Sequence, residues 1–277
     1  MRAFLSVMFC LSVVAAPGVA QTVQYRAANG TRFRAQPDTG SVRSAAAART
    51  ADPRNADLIL ALGLAQAGIR DYRSAIATFG EGMKLAPNNV LFLRWRGHRY
   101  LSTGQFSKSL VDLLRGFTLD SANYDVLYHL GAAHFVRGEF SEAADVFGRA
   151  QRLAPNPNEL AGSTDWLWMS LSRAGRGEDA SRALLPITDS LRITSATAYM
   201  QRLRLYRGQI TPDQVIAPAD TAGVQRSTLS YGIGNWYLTR ADTANATRWF
   251  TRAIDAAGWP AFGYLAAEQE LKRLKRR

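Results

Sequence analysis

Three histidines, His98, His129 and His134, and one cysteine, Cys10, are where metal or nucleophilic chemistry would have to start in this chain. Their spacing gives such chemistry little footing. His129 and His134 are separated by roughly 140° around a helix, so they do not share a face. His98 and His129 meet only if two neighbouring helices run side by side. Cys10 lies inside an apolar run near the start of the chain. No HExxH, GxSxG, CxxC or phosphate-binding loop is present. Gly232-Ile233-Gly234 opens like a dinucleotide-binding turn, but no third glycine follows and no strand precedes it. The expectation is a non-enzyme with no catalytic residue, no metal and no cofactor.

The elements that must position these residues follow a fixed period. From Ala56 to Pro157 the chain reads as three 34-residue units laid end to end, 56–89, 90–123 and 124–157. Unit position 8 is Gly63, Gly97 and Gly131. Position 17 is Tyr72, Phe106 and Phe140. Position 20 is Ala75, Ser109 and Ala143, and position 24 is Phe79, Leu113 and Phe147. Position 27 is Gly82, Gly116 and Ala150, and position 32 is Pro87, Ser121 and Pro155. Small residues at 8, 20 and 27 allow close approach of two helices, and the large residues at 17 and 24 fill the space between them. Gly104 and Gly138 sit where the first helix of a pair must stop, and proline near position 32 ends the second. The expected contact in the third unit is Gly131 against Ala143. A single hairpin cannot bury its apolar face alone, so neighbours must stack.

A 34-residue helical hairpin with this set of small, aromatic and proline positions resembles the tetratricopeptide repeat (TPR). The resemblance spans about Ser41–Pro260. It implies an all-α, right-handed solenoid with a concave groove and a divergent C-terminal half. It implies protein binding rather than catalysis, although the repeat is an architecture and does not name a partner. The order of segments also resembles bacterial envelope TPR proteins of the NlpI-like kind, from which this chain departs by lacking a small residue before Cys10.

Residues 1–20 read as a signal peptide: Arg2 as the charged start, an apolar stretch from Ala3 to Ala15, and small residues at Gly18 and Ala20 before Gln21. The resulting expectation is an exported protein, periplasmic or secreted. Residues 21–40 are polar, with Gly30, Pro37 and Gly40, and are expected to form a flexible linker. Residues 41–55 are expected to give a lone helix that caps the first unit. After Pro157 the register slips. Residues 158–226 are expected to form divergent helices, with a weak repeat starting at Ala161, a helix over Ser195–Arg207 and a short one capped by Thr211. The period returns over 227–260, where Gly234, Ala246 and Phe250 occupy positions 8, 20 and 24. Residues 261–277 are expected to form a solvated capping helix with a basic tail.

The formal net charge is +12 and the isoelectric point about 10.3. Such a charge favours an acidic protein or peptide partner, or weak contact with an anionic envelope surface, and an exported protein has no nucleic acid to meet. In the TPR resemblance, first-helix positions 2, 5, 9 and 12 line the groove. The groove candidates are Leu91, Arg94 and His98 in the second unit, Asp125 and Tyr128 in the third, Asp165, Trp166 and Met169 in the divergent unit, and Tyr231 and Asn235 in the last. Leu101 and Phe135 stand at groove positions too and could equally be core. Leu60 and Leu64 stand where chaperone-type repeats carry lysine and asparagine, so that mode of gripping a terminal carboxylate is not expected. Two alternatives stay open: a regulatory subunit or structural component of an envelope hydrolase or assembly complex, and a homodimer joined through residues 161–217.

Overall fold

The structure, a computed structural model, describes residues 22–217 and 223–276. The expected signal peptide and Cys10 lie outside the described residues. Helix α1 (Ser41–Ala51) leads into three hairpins: α2 (Ala56–Gly68) with α3 (Tyr72–Leu85), α4 (Val90–Ser102) with α5 (Phe106–Leu119), and α6 (Tyr124–Arg137) with α7 (Phe140–Arg152). Equivalent helices start 34 residues apart, because the same local chemistry recurs. Asn55, Asn89 and Asn123 each cap a first helix by accepting from a backbone N–H of its first turn, a contact worth about 1 kcal/mol. The turn out of each first helix is left-handed, at Arg70, Gly104 and Gly138.

Small-to-large packing within each hairpin closes the unit. A Cβ on Gly131 would lie 2.8 Å from the Phe147 ring, and one on Gly97 would lie 2.7 Å from Leu113. The space in front of Gly131 therefore belongs to Phe147, not to Ala143. Position 20 meets the backbone of position 8 instead: the Ser109 hydroxyl donates to the Gly97 carbonyl at 2.8 Å. Between α4 and α5, Arg96 forks onto the buried Asp112 with two bonds of 2.7 Å.

Next come α8 (Pro157–Arg173) and α9 (Gly177–Ala183), then α10 (Thr197–Tyr206) and α11 (Pro212–Ile216), whose start is a capping box between Thr211 and Gln214. The last hairpin is α12 (Gly223–Leu238) with α13 (Thr243–Asp255). Its Gly234 faces Phe250 just as Gly131 faces Phe147. Helix α8 is buried from Ala161 to Leu171; it is a central helix and offers no free face to a second copy of the chain. No helix among the described residues is long and apolar enough to cross a membrane.

Two expectations are overturned. Within 22–40 the chain is not a loose linker: strands β1 (Val23–Arg26) and β2 (Arg32–Arg34) form an antiparallel hairpin, with Tyr25 opposite Phe33 and Arg26 opposite Arg32. Helix α14 (Phe262–Leu274) is not a solvated cap but is buried over Gly263–Glu268 and at Glu270. The two departures have one cause. Trp259 stacks on Tyr25 and Phe33 and meets Tyr72 at a tilt, with ring centroids 6.1, 5.3 and 5.2 Å apart. The hairpin, the first repeat and the C-terminus thus share one aromatic cluster. Polar ties complete it: Glu268 accepts from the Tyr25 hydroxyl and from the backbone N–H of Ala28, and Gln24 bonds Asp71 and the N–H of Arg73. Local propensity cannot foresee a strand whose partner surface lies at the far end of the sequence.

Candidate functional site

The first helices α4 and α6 present their inner faces to α14 and the turn before it. Phe262 packs edge-on against His98 and His129, at 5.3 and 5.8 Å. The Trp259 indole N–H donates to the Ser102 carbonyl at 2.6 Å, and Arg273 donates to the Val136 carbonyl. The groove of the second and third hairpins is therefore floored by the chain's own C-terminal segment. What remains open is a rim along the first turns of α4 and α6.

Behind that rim, running inward along α4 and α6, lie two arginines and two histidines. The Arg94 guanidinium lies 3.7 Å from the centre of the Trp95 ring, and Arg99 lies 5.8 Å from the same ring and 4.5 Å from that of Tyr72. His98 also stacks on Trp95, with ring centres 5.9 Å apart, and its ring lies 4.2 Å from that of His129. Two arginines and two imidazoles thus converge, and the counter-charge bonded to them is Asp125, 2.9 Å from Arg94 and itself 57% exposed. Nε and Nη1 of Arg94, Nε of Arg99 and Nδ1 of His98 are buried without a hydrogen-bond partner.

Charge crowding shows in the acidities. Burial, then the neighbouring Arg99, His129 and Arg94, holds His98 well below the usual imidazole value. His129 is depressed by burial and by Arg94. Burial lowers Arg99 to about 10 and lowers Arg94 against the pull of Asp125. His129 Nδ1 sits 2.6 Å from the Asp125 carbonyl. A carbonyl only accepts, so Nδ1 carries the proton and Nε2 is the bare nitrogen. Among the described residues no group of three His, Cys, Asp or Glu gathers to hold a metal.

The expected groove residues divide into two sets. Leu91 is 46% exposed, and Arg94, His98, Asp125 and Tyr128 surround the same rim. Tyr128 is committed inward, its hydroxyl bonded to that of Tyr199 at 2.9 Å. Asp165, Trp166, Met169, Tyr231 and Asn235 are instead fully buried. Trp166 stacks on Phe147 and Tyr231, and Asp165 contacts the buried Arg202 at 2.8 Å. Arg202 also donates to Met169 Sδ, and Asn235 accepts from Arg173. Asp165, Trp166 and Met169 are interior because α10 and α12 cover the inner face of α8, and Tyr231 and Asn235 are the α12 residues that meet it. Leu101 and Phe135 are core as well. Groove spacing passed over Trp95, Arg99 and Phe262, and His129 entered only as a neighbour that His98 would meet if two helices ran side by side. The signal available for the first two was the run Arg94-Trp95-Arg96-Gly97-His98-Arg99, three arginines, a histidine and an aromatic within two turns.

With the geometry in view, comparison with known proteins agrees on the architecture. Residues 124–157 match the family model for the tetratricopeptide repeat. A tetratricopeptide repeat protein from Parabacteroides merdae ATCC 43184 superposes with a TM-score of 0.51 at 15% identity, covering 83% of this chain and 91% of that one. MamA from Desulfovibrio magneticus RS-1 gives 0.47 at 20% identity, over 61% of this chain and 86% of its own. MamA AMB-1 gives 0.42 at 23% identity, over 52% and 90%. No curated protein matches the chain. The likeness is one of fold: an all-α array of TPR-type hairpins.

Proposed function

We propose that the protein is a non-catalytic interaction scaffold of the cell envelope and takes an acidic protein segment along the rim of α4 and α6. The observation that carries this reading is the convergence of Arg94 and Arg99 on Trp95 with donor nitrogens unpartnered, beside the exposed Leu91. Unpartnered buried donors are costly. A carboxylate from a partner would relieve them, arginine being suited to forked recognition of that group. Leu91 and the Trp95 ring supply apolar area for a neighbouring side chain of the same segment. With α14 flooring the groove, the partner lies across its edge and not along its length. The envelope location is supported by the leader-like composition of residues 1–20, and sequencing the N-terminus of exported protein tests it.

The test of the rim is a Leu91→Asp, Arg94→Ala double variant. Leu91 is exposed, and the largely buried Arg94 has its ion pair with the exposed Asp125. The variant should melt near the wild type and lose its acidic partner in a pull-down, with truncation of an anchor costing about 2 kcal/mol or more in affinity. Retention of every partner at wild-type level by the folded variant overturns the reading.

A further inference from the structure

A second basic site shares no residue with the rim. Where β1, α3 and the end of α14 meet, the surface encloses a cavity of about 430 Å³, within the range of small-ligand sites. Arg26 of β1, Arg73 of α3 and Lys272 of α14 all line it, and no carboxylate does. None of these three cations forms an ion pair among the described residues.

The acids that could neutralise them are engaged elsewhere. Asp71, on the same turn as Arg73, accepts from Gln24 and from the N–H of Ser74. Glu268, one turn before Lys272, is turned inward to Tyr25 and Ala28. Glu270 is bonded to Arg173 and Arg273. The hairpin register adds to the imbalance, since Arg26 stands directly opposite Arg32 and like charges in that position repel. Gln269 also lines the cavity, and its amide makes no other hydrogen bond among the described residues. Three unneutralised cations from three separate segments thus line one cavity together with a free amide.

We propose that this cavity binds a compact oxyanion carrying two or more negative charges, free or as the head group of a larger molecule. Arginine offers a fork and lysine a point charge to such an anion. A ligand held there would bridge the N-terminal hairpin, the first repeat and the C-terminal helix. Binding would therefore stabilise the closed arrangement, since a ligand that binds only the folded state raises its stability.

The experiment is calorimetry and thermal melting at constant ionic strength with pyrophosphate, citrate and chloride. Wild-type protein should bind pyrophosphate and citrate and melt higher in their presence, and chloride should have no effect. The triple variant R26Q/R73Q/K272Q should bind about tenfold more weakly or worse, as expected for loss of charge-assisted bonds. The triple variant R43Q/R54Q/R192Q, with the same loss of net charge elsewhere on the surface, should bind like the wild type. If the first variant does not fold, Lys272→Gln alone gives the same comparison. Phosphatidylglycerol vesicles separate the sources: vesicle binding displaced by pyrophosphate assigns a lipid head group, and pyrophosphate binding without vesicle binding assigns a free anion. No binding of either anion at millimolar concentration, or equal weakening in both triple variants, overturns the proposal. The rim variant with Leu91→Asp and Arg94→Ala should keep its pyrophosphate binding, so the two sites fail or stand separately.

Discussion

The indole N–H of Trp259 donates to the carbonyl of Ser102 at 2.6 Å, joining positions 157 residues apart in the chain. Ser102 is the last residue of α4, where carbonyls have no partner within the helix. Trp259 satisfies one of them while its ring fills the cluster of Tyr25, Phe33 and Tyr72. It is the pin that holds the C-terminal helix in the groove. Trp259→Ala should cost about 3–5 kcal/mol and speed hydrogen exchange across Phe262–Leu274. Trp259→Phe keeps an aromatic ring but loses the bond, and should cost less. Unchanged exchange in α14 of the alanine variant would show that the helix is held by its other contacts.

The contact between Gly131 and Phe147 makes a second prediction. A methyl group at Gly131 would lie 2.8 Å from the ring, so Gly131→Ala must push Phe147 aside. Overpacking of this kind costs about 1–3 kcal/mol. Gly68→Ala is the matched control, because a Cβ there meets nothing within 4 Å, and it should be neutral or slightly stabilising. Chemical denaturation of the two variants checks the pair, and equal effects would refute the close contact.

These two contacts also show what could be read from the sequence and what could not. Gly131 and Phe147 belong to one repeat, so a fixed spacing announced both, with the error that the small residue was paired with Ala143. Helix positions, the three hairpins and the last pair at α12 and α13 followed from the same period. Trp259 was silent because its partners lie in other segments. For the same reason Tyr25 and Phe33 looked like linker and α14 like a solvated end. The groove suffered most. Position in a repeat says which way a side chain points, and only the fold of the rest of the chain says what it meets. Leu91 points to solvent and Arg94 reaches the exposed Asp125, whereas Trp166, Met169 and Tyr231 point the same way within their repeats and meet α10, α12 or α14.

A third prediction comes from a turn that lacks glycine. The first helix of a hairpin ends in left-handed geometry at Gly104 and Gly138, and the last hairpin makes the same turn at Ala241, with φ of 60°. A side chain in that region costs roughly 1–2 kcal/mol, and glycine returns part of this through the freedom of the unfolded chain. Ala241 is exposed and its side chain has little packing to lose. Ala241→Gly should raise stability by about 0.5–1 kcal/mol, read as a shift in the denaturation midpoint. A destabilised variant would mean that the methyl group does more than occupy a strained position.

The pair His98 and His129 makes the last prediction, one of pH. Burial and the adjacent Arg94 and Arg99 depress both imidazoles, so they are neutral in the folded protein. The unfolded chain takes up these protons near pH 6.5. Over that window the unfolded state binds more protons than the folded one, and the histidines make stability fall as the pH drops below about 6.5. Asp165 pulls the other way. Burial pushes its carboxyl up to about 7 against the attraction of Arg202, so it gains a proton in the fold before it would in the unfolded chain. Net stability therefore mixes two opposite slopes, and substitution separates them. His98→Phe removes one imidazole and keeps an aromatic ring against Trp95 and Phe262. Relative to the wild type, this variant should gain stability steadily as the pH is lowered from about 7 to 5, as followed by denaturant unfolding at each pH. A difference that stays constant over that range would mean that His98 titrates as freely in the fold as in the unfolded chain, and that the cations around it are better solvated than the packing at the rim implies.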